Sequence, residues 1–244
     1  MTYEKNMNKP AIAAVVPAAG IGSRMQASCP KQYLTLLERP VLSHTLATLL
    51  ACQAISHVYV ALAAHDRRFE QLAEAQHPQL STVAGGDTRG ASVLAGVQAA
   101  QQAGYDFVAV HDAARPCLSQ QDLAQVIAAG VSHSDGAILA TPVRDSMKHA
   151  DAQQQIIANV DRNDVWQALT PQVFRTDLLL AALQQMGVNH PQMTDEASAV
   201  QYFGRTPMLV TGSVKNLKIT HPEDLAIAAA YLSMPSSASV STAE

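Results

Sequence analysis

Short apolar runs alternate with longer stretches of helical periodicity up to Thr141, and few architectures accept that rhythm. Ala11–Val16 reads as a buried strand ending at Pro17. Pro40–Gln53 reads as a helix with Leu42, Leu46, Leu49 and Leu50 on one face. A strand at His57–Leu62, a helix at Asp66–Gln76 and a short strand at Ser81–Ala84 follow. Thr88–Ala103 carries Val93, Leu94 and Val97 at helical spacing; Phe107–His111 is a strand, Ser119–His133 a helix and Ala137–Thr141 a strand. This alternation predicts an α/β fold: a mostly parallel, Rossmann-like sheet flanked by helices on both faces. Ligands in such sheets sit beyond the carboxyl ends of the strands. The candidate ligand loops are therefore Pro17–Lys31, Gly85–Ser92 and Asp112–Cys117.

After Thr141 the rhythm breaks. Ser146–His149 and Ile156–Val160 read as two short strands joined by a polar turn, Asp151–Gln155, so residues of about 144–160 are expected to project as a β-arm. Helices return at Thr176–Met186 and Asp195–Phe203. Strand-like Met208–Thr211 and Leu217–Thr220 precede a helix opened by Pro222. The length of 244 residues suits one α/β domain. It is expected over 11–232, between a disordered N-terminus (1–10) and a disordered, small-residue tail (233–244). The net charge of −4 gives the surface no general attraction for nucleic acid. No apolar run has the length of a membrane span, and MTYEKNMNKP lacks the apolar core of a signal peptide. Cys29, Cys52 and Cys117 have no metal-ligand spacing and read as reduced thiols of a cytoplasmic protein. The histidines show no metal spacing either and read as structural, and Trp166 as packing near the arm.

The first loop reads Pro17-Ala18-Ala19-Gly20-Ile21-Gly22-Ser23-Arg24-Met25, then Pro30-Lys31-Gln32. Glycines and small side chains let backbone amides approach a ligand closely. Arg24 and Lys31 add positive charge, and together these features make a triphosphate cradle. A dinucleotide fingerprint would need a third glycine where Met25 stands, and a Walker loop would need GxxxxGK[ST], which is absent.

PAAGIGSRM followed by PKQY resembles the signature of nucleotidyltransferases. In detail it is similar to the 2-C-methyl-D-erythritol 4-phosphate cytidylyltransferase family of isoprenoid-precursor synthesis. The resemblance continues through GGDTRGASV, VHDAARP, PVRDSMK, VDRNDVW, ALTPQ, TDEASA and NLKITHPEDL, over roughly residues 11–232. It implies that Arg24 and Lys31 are catalytic and that Ala18, Ala19, Gly20, Gly22, Asp87, Ser92 and Lys218 bind CTP. It implies further that Arg115, Ser146, Arg162, Thr170 and Thr194 bind the methylerythritol phosphate. Ser146 departs from the threonine usual in the family but keeps the hydroxyl. Ser23 departs from a basic residue found in some relatives. Arginines with hydroxyls suit a phosphate, because the guanidinium offers paired donors.

Asp112 ends a strand beside the phosphate loop. A carboxylate there suits Mg²⁺, the role the resemblance implies, but the residues alone leave a turn or helix-cap aspartate equally open. Capping by Asp87 or Thr88 is likewise an ordinary reading of the second loop. The implied reaction is attack by a phosphate oxygen on the α-phosphorus of CTP, with pyrophosphate leaving. A ribitol-5-phosphate cytidylyltransferase shares the nucleotide motifs and remains a rival. A nucleotide sensor without turnover is a rival of another class, opposed by the presence of both Arg24 and Lys31. The arm, with Met147, Ile156 and Ile157, is expected to form a homodimer and carry Arg162 to the neighbouring site.

Overall fold

The computed structural model describes residues 10–20 and 29–234. Gly22, Ser23 and Arg24 lie outside them, as do residues 1–9 and 235–244 of the expected disordered ends. Seven strands form one sheet in the order β11-β7-β10-β6-β1-β4-β5. These are β1 (Ile12–Pro17), β4 (His57–Leu62), β5 (Leu80–Ala84), β6 (Phe107–Val110), β7 (Ala137–Pro142), β10 (Trp166–Arg175) and β11 (Met208–Thr211). The pairs β1·β4, β4·β5, β1·β6 and β7·β11 are parallel. Strand β10 is antiparallel to both its neighbours, β6 and β7.

Alternation along each strand feeds two cores. Ala14 and Val16 of β1 face α1 (Val41–Leu50) and α3 (Gln120–Ser132), where Leu42, Leu46, Leu49, Leu123 and Val126 are buried. Ala13 and Val15 face the opposite layer, α2 (Arg89–Gln102), α4 (Thr176–Met186) and α5 (Glu196–Tyr202). A two-residue side-chain period on a sheet covered on both faces has this result. A third, smaller cluster joins Leu36 of β2 (Thr35–Leu36), Val41, Ala114 and Ile219 to Ala228 of α6 (Glu223–Ser233). β2 pairs with β3 (Arg39–Pro40) in a two-stranded hairpin.

The mostly parallel, helix-flanked sheet agrees with the sequence reading, and three details differ. Asp66–Gln76 is not one helix but two short 3₁₀ turns, Phe69–Gln71 and Ala73–Gln76, separated at Leu72 by extended backbone. The break lets both Phe69 and Leu72 reach the α1-side core. Leu217–Thr220 forms no strand; a single backbone bond, Ile219 N–H to the Ala114 carbonyl at 2.8 Å, ties it to the loop after β6. Strand β10 had no counterpart in the sequence reading, because Gln167, Thr170, Pro171 and Gln172 interrupt its apolar residues. The arm is present as β8 (Met147–Ala150) paired antiparallel with β9 (Ile156–Val160). It leaves Ile156 and Ile157 about two-thirds exposed, at 67% and 66%. Trp166 opens β10 opposite Pro142, at the root of the arm.

Candidate active site

The loops following β1, β5 and β6 converge on a cavity of about 260 Å³. Its walls include Ala18, Ala19 and Gly20 from the first loop and Asp87 and Arg89 from the second. Asp112, Lys31 and Lys218 complete the charged lining. Gln32, buried, pins the first loop by donating from Nε2 to the carbonyls of Ala18 at 2.7 Å and Gly20 at 3.1 Å. The first two loops touch where only glycine fits: a Cβ on Gly85 would stand 2.7 Å from Cβ of Ala19. Thr88 caps α2, its hydroxyl accepting from Ala91 N–H at 3.1 Å. Ser92 is buried and accepts from Gly86 N–H at 3.2 Å, which fixes the turn that presents the exposed Asp87. Lys31 reaches from the first loop to the Ile219 carbonyl at 2.8 Å.

Asp112 is the electrostatic centre. Arg89 Nε meets its Oδ1 at 2.9 Å, while Arg115 Nε and Lys218 Nζ meet Oδ2 at 3.2 and 3.0 Å. Burial alone would raise this carboxyl, but Arg89, Lys218 and Arg115 outweigh it and hold the group well below the usual carboxylate range. The Asp112 backbone is fixed as well. Its N–H donates to Thr170 Oγ1 at 3.1 Å, and Thr170 Oγ1 lies 2.9 Å from His111 Nδ1. His111 Nε2 faces the Arg115 carbonyl at 3.2 Å. A carbonyl only accepts, so Nε2 carries the proton and Nδ1 accepts from the threonine. Burial pushes the His111 imidazole down to about 4, which keeps this neutral tautomer.

The structure thus brings together Ala18, Ala19, Gly20, Lys31, Asp87, Ser92, Asp112 and Lys218 around one cavity. Arg115 stands behind Asp112 and, with Lys218, lines a neighbouring cavity of about 350 Å³. The hydroxyl of Thr170 is committed to Asp112 and His111 inside the protein. Thr194, exposed, precedes α5 and donates its N–H to Ser198 Oγ at 3.1 Å. Ser146 and Arg162 are exposed at the base of the arm, where Arg162 Nη1 donates to the Arg144 carbonyl. Neither lines the cavity of Lys31 and Asp112 or the neighbouring one of Arg115 and Lys218. Three contributors went unassigned in the sequence: Gln32, Arg89 and the fully buried Glu196. Arg89 and Glu196 lie inside GGDTRGASV and TDEASA. There a charged residue among small ones at a helix start was the available signal.

Among the described residues no three His, Cys, Asp or Glu side chains cluster as a metal site. One carboxylate suffices, however, for a Mg²⁺ ion that takes its other ligands from phosphates and water. A carboxylate offers about four lone-pair sites, and Arg89, Arg115 and Lys218 occupy three of them on Asp112. Asp112 fits that role.

A cavity beyond the strand ends, lined by Lys31, Arg89 and Lys218 with Asp87 and Asp112 among them, suits a nucleotidyltransferase of the α/β class. The family model for 2-C-methyl-D-erythritol 4-phosphate cytidylyltransferase (IspD) matches residues 12–234, and the chain belongs to that family. It is 50% identical over 224 residues to the cytidylyltransferase of that name from Klebsiella pneumoniae, covering 91% of this chain and 94% of that protein. It is 51% identical over 227 residues to the Vibrio cholerae protein, covering 91% and 96%. Among solved structures, a 4-diphosphocytidyl-2C-methyl-D-erythritol synthase superposes with a TM-score of 0.80 at 36% identity, covering 92% of this chain and 99% of that one. The Thermus thermophilus cytidylyltransferase superposes with a TM-score of 0.75 at 31% identity, covering 90% and 98%. No helix among the described residues is long and apolar enough to cross a membrane.

Proposed function

We propose that this protein transfers the cytidylyl group of CTP to 2-C-methyl-D-erythritol 4-phosphate and releases pyrophosphate, within residues 11–232 and as a cytoplasmic homodimer. The observation that carries the reading is Lys31, Arg89 and Lys218 gathered with Asp112 around one cavity at the strand ends, in a chain of the cytidylyltransferase family.

The attacking group prepares itself. A phosphate monoester loses its second proton near pH 6, so its oxygen is anionic at about neutral pH and needs no catalytic base. It forms a bond to the α-phosphorus while the bond to the bridging β-phosphate oxygen breaks. The chain's task is positioning and charge neutralisation. Ala19, Gly20 and Gly22 bring backbone amides to the triphosphate, and Ala18, its own N–H donated to the Ala61 carbonyl at 2.8 Å, lines the CTP cavity beside them. Asp87 and Ser92 shape the cytosine end, and Lys31, Arg24 and Lys218 balance the charge on the α-phosphate and the leaving pyrophosphate. Arg115, Ser146, Arg162 and Thr194 hold the polyol phosphate, with Thr170 setting the backbone beneath it. Asp112 would hold Mg²⁺, which when bound supplies Lewis acidity and a template for the phosphates.

Pyrophosphate release measured with CTP and either methylerythritol phosphate or ribitol 5-phosphate tests the reading. Turnover with the first and little with the second is expected. The reverse preference installs the ribitol enzyme, and no turnover with either supports a sensor.

A further inference from the structure

Resting on that reading, we propose that Glu196 is a positioning residue that ties the nucleotide loop to the segment carrying Thr194 by locking the Arg89 guanidinium. Arg89 is the first residue of α2 and Glu196 the first of α5. Arg89 Nη1 donates to Glu196 Oε1 at 2.6 Å and Nη2 to Oε2 at 3.1 Å, leaving Nε for Asp112 Oδ1 at 2.9 Å. Glu196 is wholly excluded from solvent and does not line the nucleotide cavity; Arg89 and Asp112 do.

Stability is a poor reason for such a pair. A buried ion pair is often no better than apolar residues of equal volume. Geometry is a better one. A guanidinium gripped along its Nη1–Nη2 edge cannot rotate, so its Nε–H keeps a fixed line to Asp112. Released from Glu196, Arg89 is free to present its two-pronged edge to Asp112 or to a phosphate. Glu196 also matches one positive charge, so that Arg89 does not simply quench Asp112.

The far end of the lock is rigid too. Asp195 and Ser198 form a capping box at the start of α5, and Thr194 N–H donates to the same Ser198 hydroxyl. Gln172 of β10 holds this turn from below, donating to Asp195 Oδ2 at 2.9 Å and accepting from Ala197 N–H at 2.9 Å. Through Arg89 and Glu196 the nucleotide loop and the Thr194 turn are therefore in direct contact. A shift in either is felt by Asp112.

The test uses Glu196→Gln, which keeps the shape and removes the charge, and Glu196→Asp, which keeps the charge on a shorter reach. Initial rates over a grid of both substrates are combined with calorimetric CTP binding, at a temperature well below each variant's melting point. For Glu196→Gln we expect kcat/KM for CTP to fall at least tenfold, CTP binding to weaken and KM for the polyol phosphate to rise. For Glu196→Asp we expect partial recovery of all three. Should Glu196→Gln fail to fold, Glu196→Asp carries the test alone, with a fall of at least threefold. Values within twofold of wild type in the folded variant overturn the proposal. So does a loss confined to melting temperature. Wild-type protein that releases no pyrophosphate fails the reading of function instead, and CTP binding still reports on Glu196.

Discussion

Acidification should destabilise this protein through His111 before it reaches the carboxylate of the site. The imidazole is fully buried, with Nε2–H facing the Arg115 carbonyl and Nδ1 facing Thr170. A second ring proton would meet a hydroxyl already committed to donating there. The folded group titrates at about 4 against 6.5 for the ordinary side chain. Between those values the unfolded chain binds a proton that the folded one refuses. The contribution is thus fully present above pH 6.5 and is lost as pH falls toward 4. At 1.36 kcal/mol per pH unit the gap makes about 3 kcal/mol, a large part of the roughly 5–15 kcal/mol that stabilises a domain. Asp112, held well below the usual range, loses its share only in stronger acid. Urea unfolding of the wild type and of His111→Gln, measured from pH 7.5 to 4, isolates the effect because every other group titrates in both. Glutamine can keep the donor to the Arg115 carbonyl and cannot titrate. The wild type should lose about 3 kcal/mol more than the variant across this range; parallel profiles would refute the reasoning.

Lys31→Ala should lower kcat about 10²–10³-fold, the cost of losing one preorganised donor to developing charge. Circular dichroism should show an intact fold, and near-normal kcat would remove Lys31 from the mechanism. CTP should outcompete UTP, ATP and GTP in pyrophosphate release if the turn of Asp87 and Ser92 reads the cytosine, as the resemblance implies; equal turnover of all four would end that claim. Mixing inactive Lys31→Ala with inactive Arg162→Ala under subunit exchange should restore activity if Arg162 serves the neighbouring site. Inactivity in proven mixed dimers, or a monomer in sedimentation, would reject the exchanged arm.

The parallel strands and their helices were legible because both signals are local: a two-residue or 3.6-residue period, closed by a cap such as Ser119 or Asp195. Met208–Thr211 and the two arm strands were found for the same reason. Strand β10 was not. Its Thr170 and Gln172 spend their polar groups on His111, Asp112 and the turn of α5, partners distant in sequence that no local pattern reveals. The cavity residues were legible as motifs, yet Arg89 and Glu196 were not, since a buried ion pair between two helix starts separated by more than a hundred residues has no one-dimensional signature. The helix expected over Asp66–Gln76 failed where Leu72 had to turn inward with Phe69. Local propensity yielded there to tertiary burial.

Strand β10 has a consequence for how the chain is made. Among the described strands it alone pairs the block β6-β1-β4-β5 with the pair β7-β11. When β7 leaves the ribosome its apolar residues have no edge to join, for β10, the strand that seats them beside β6, ends at Arg175. From Pro142 to Arg175 the chain grows by 33 residues, about 2 to 7 s at roughly 5–20 residues per second. For that interval the edges of β6 and β7 that β10 will join stay open, and such edges invite pairing with other chains. Late, long-range closure of this kind also slows folding. The step that joins the two parts of the sheet is the step that sets Thr170 beneath Asp112, so a chain caught before it carries the first nucleotide loops and has no assembled site.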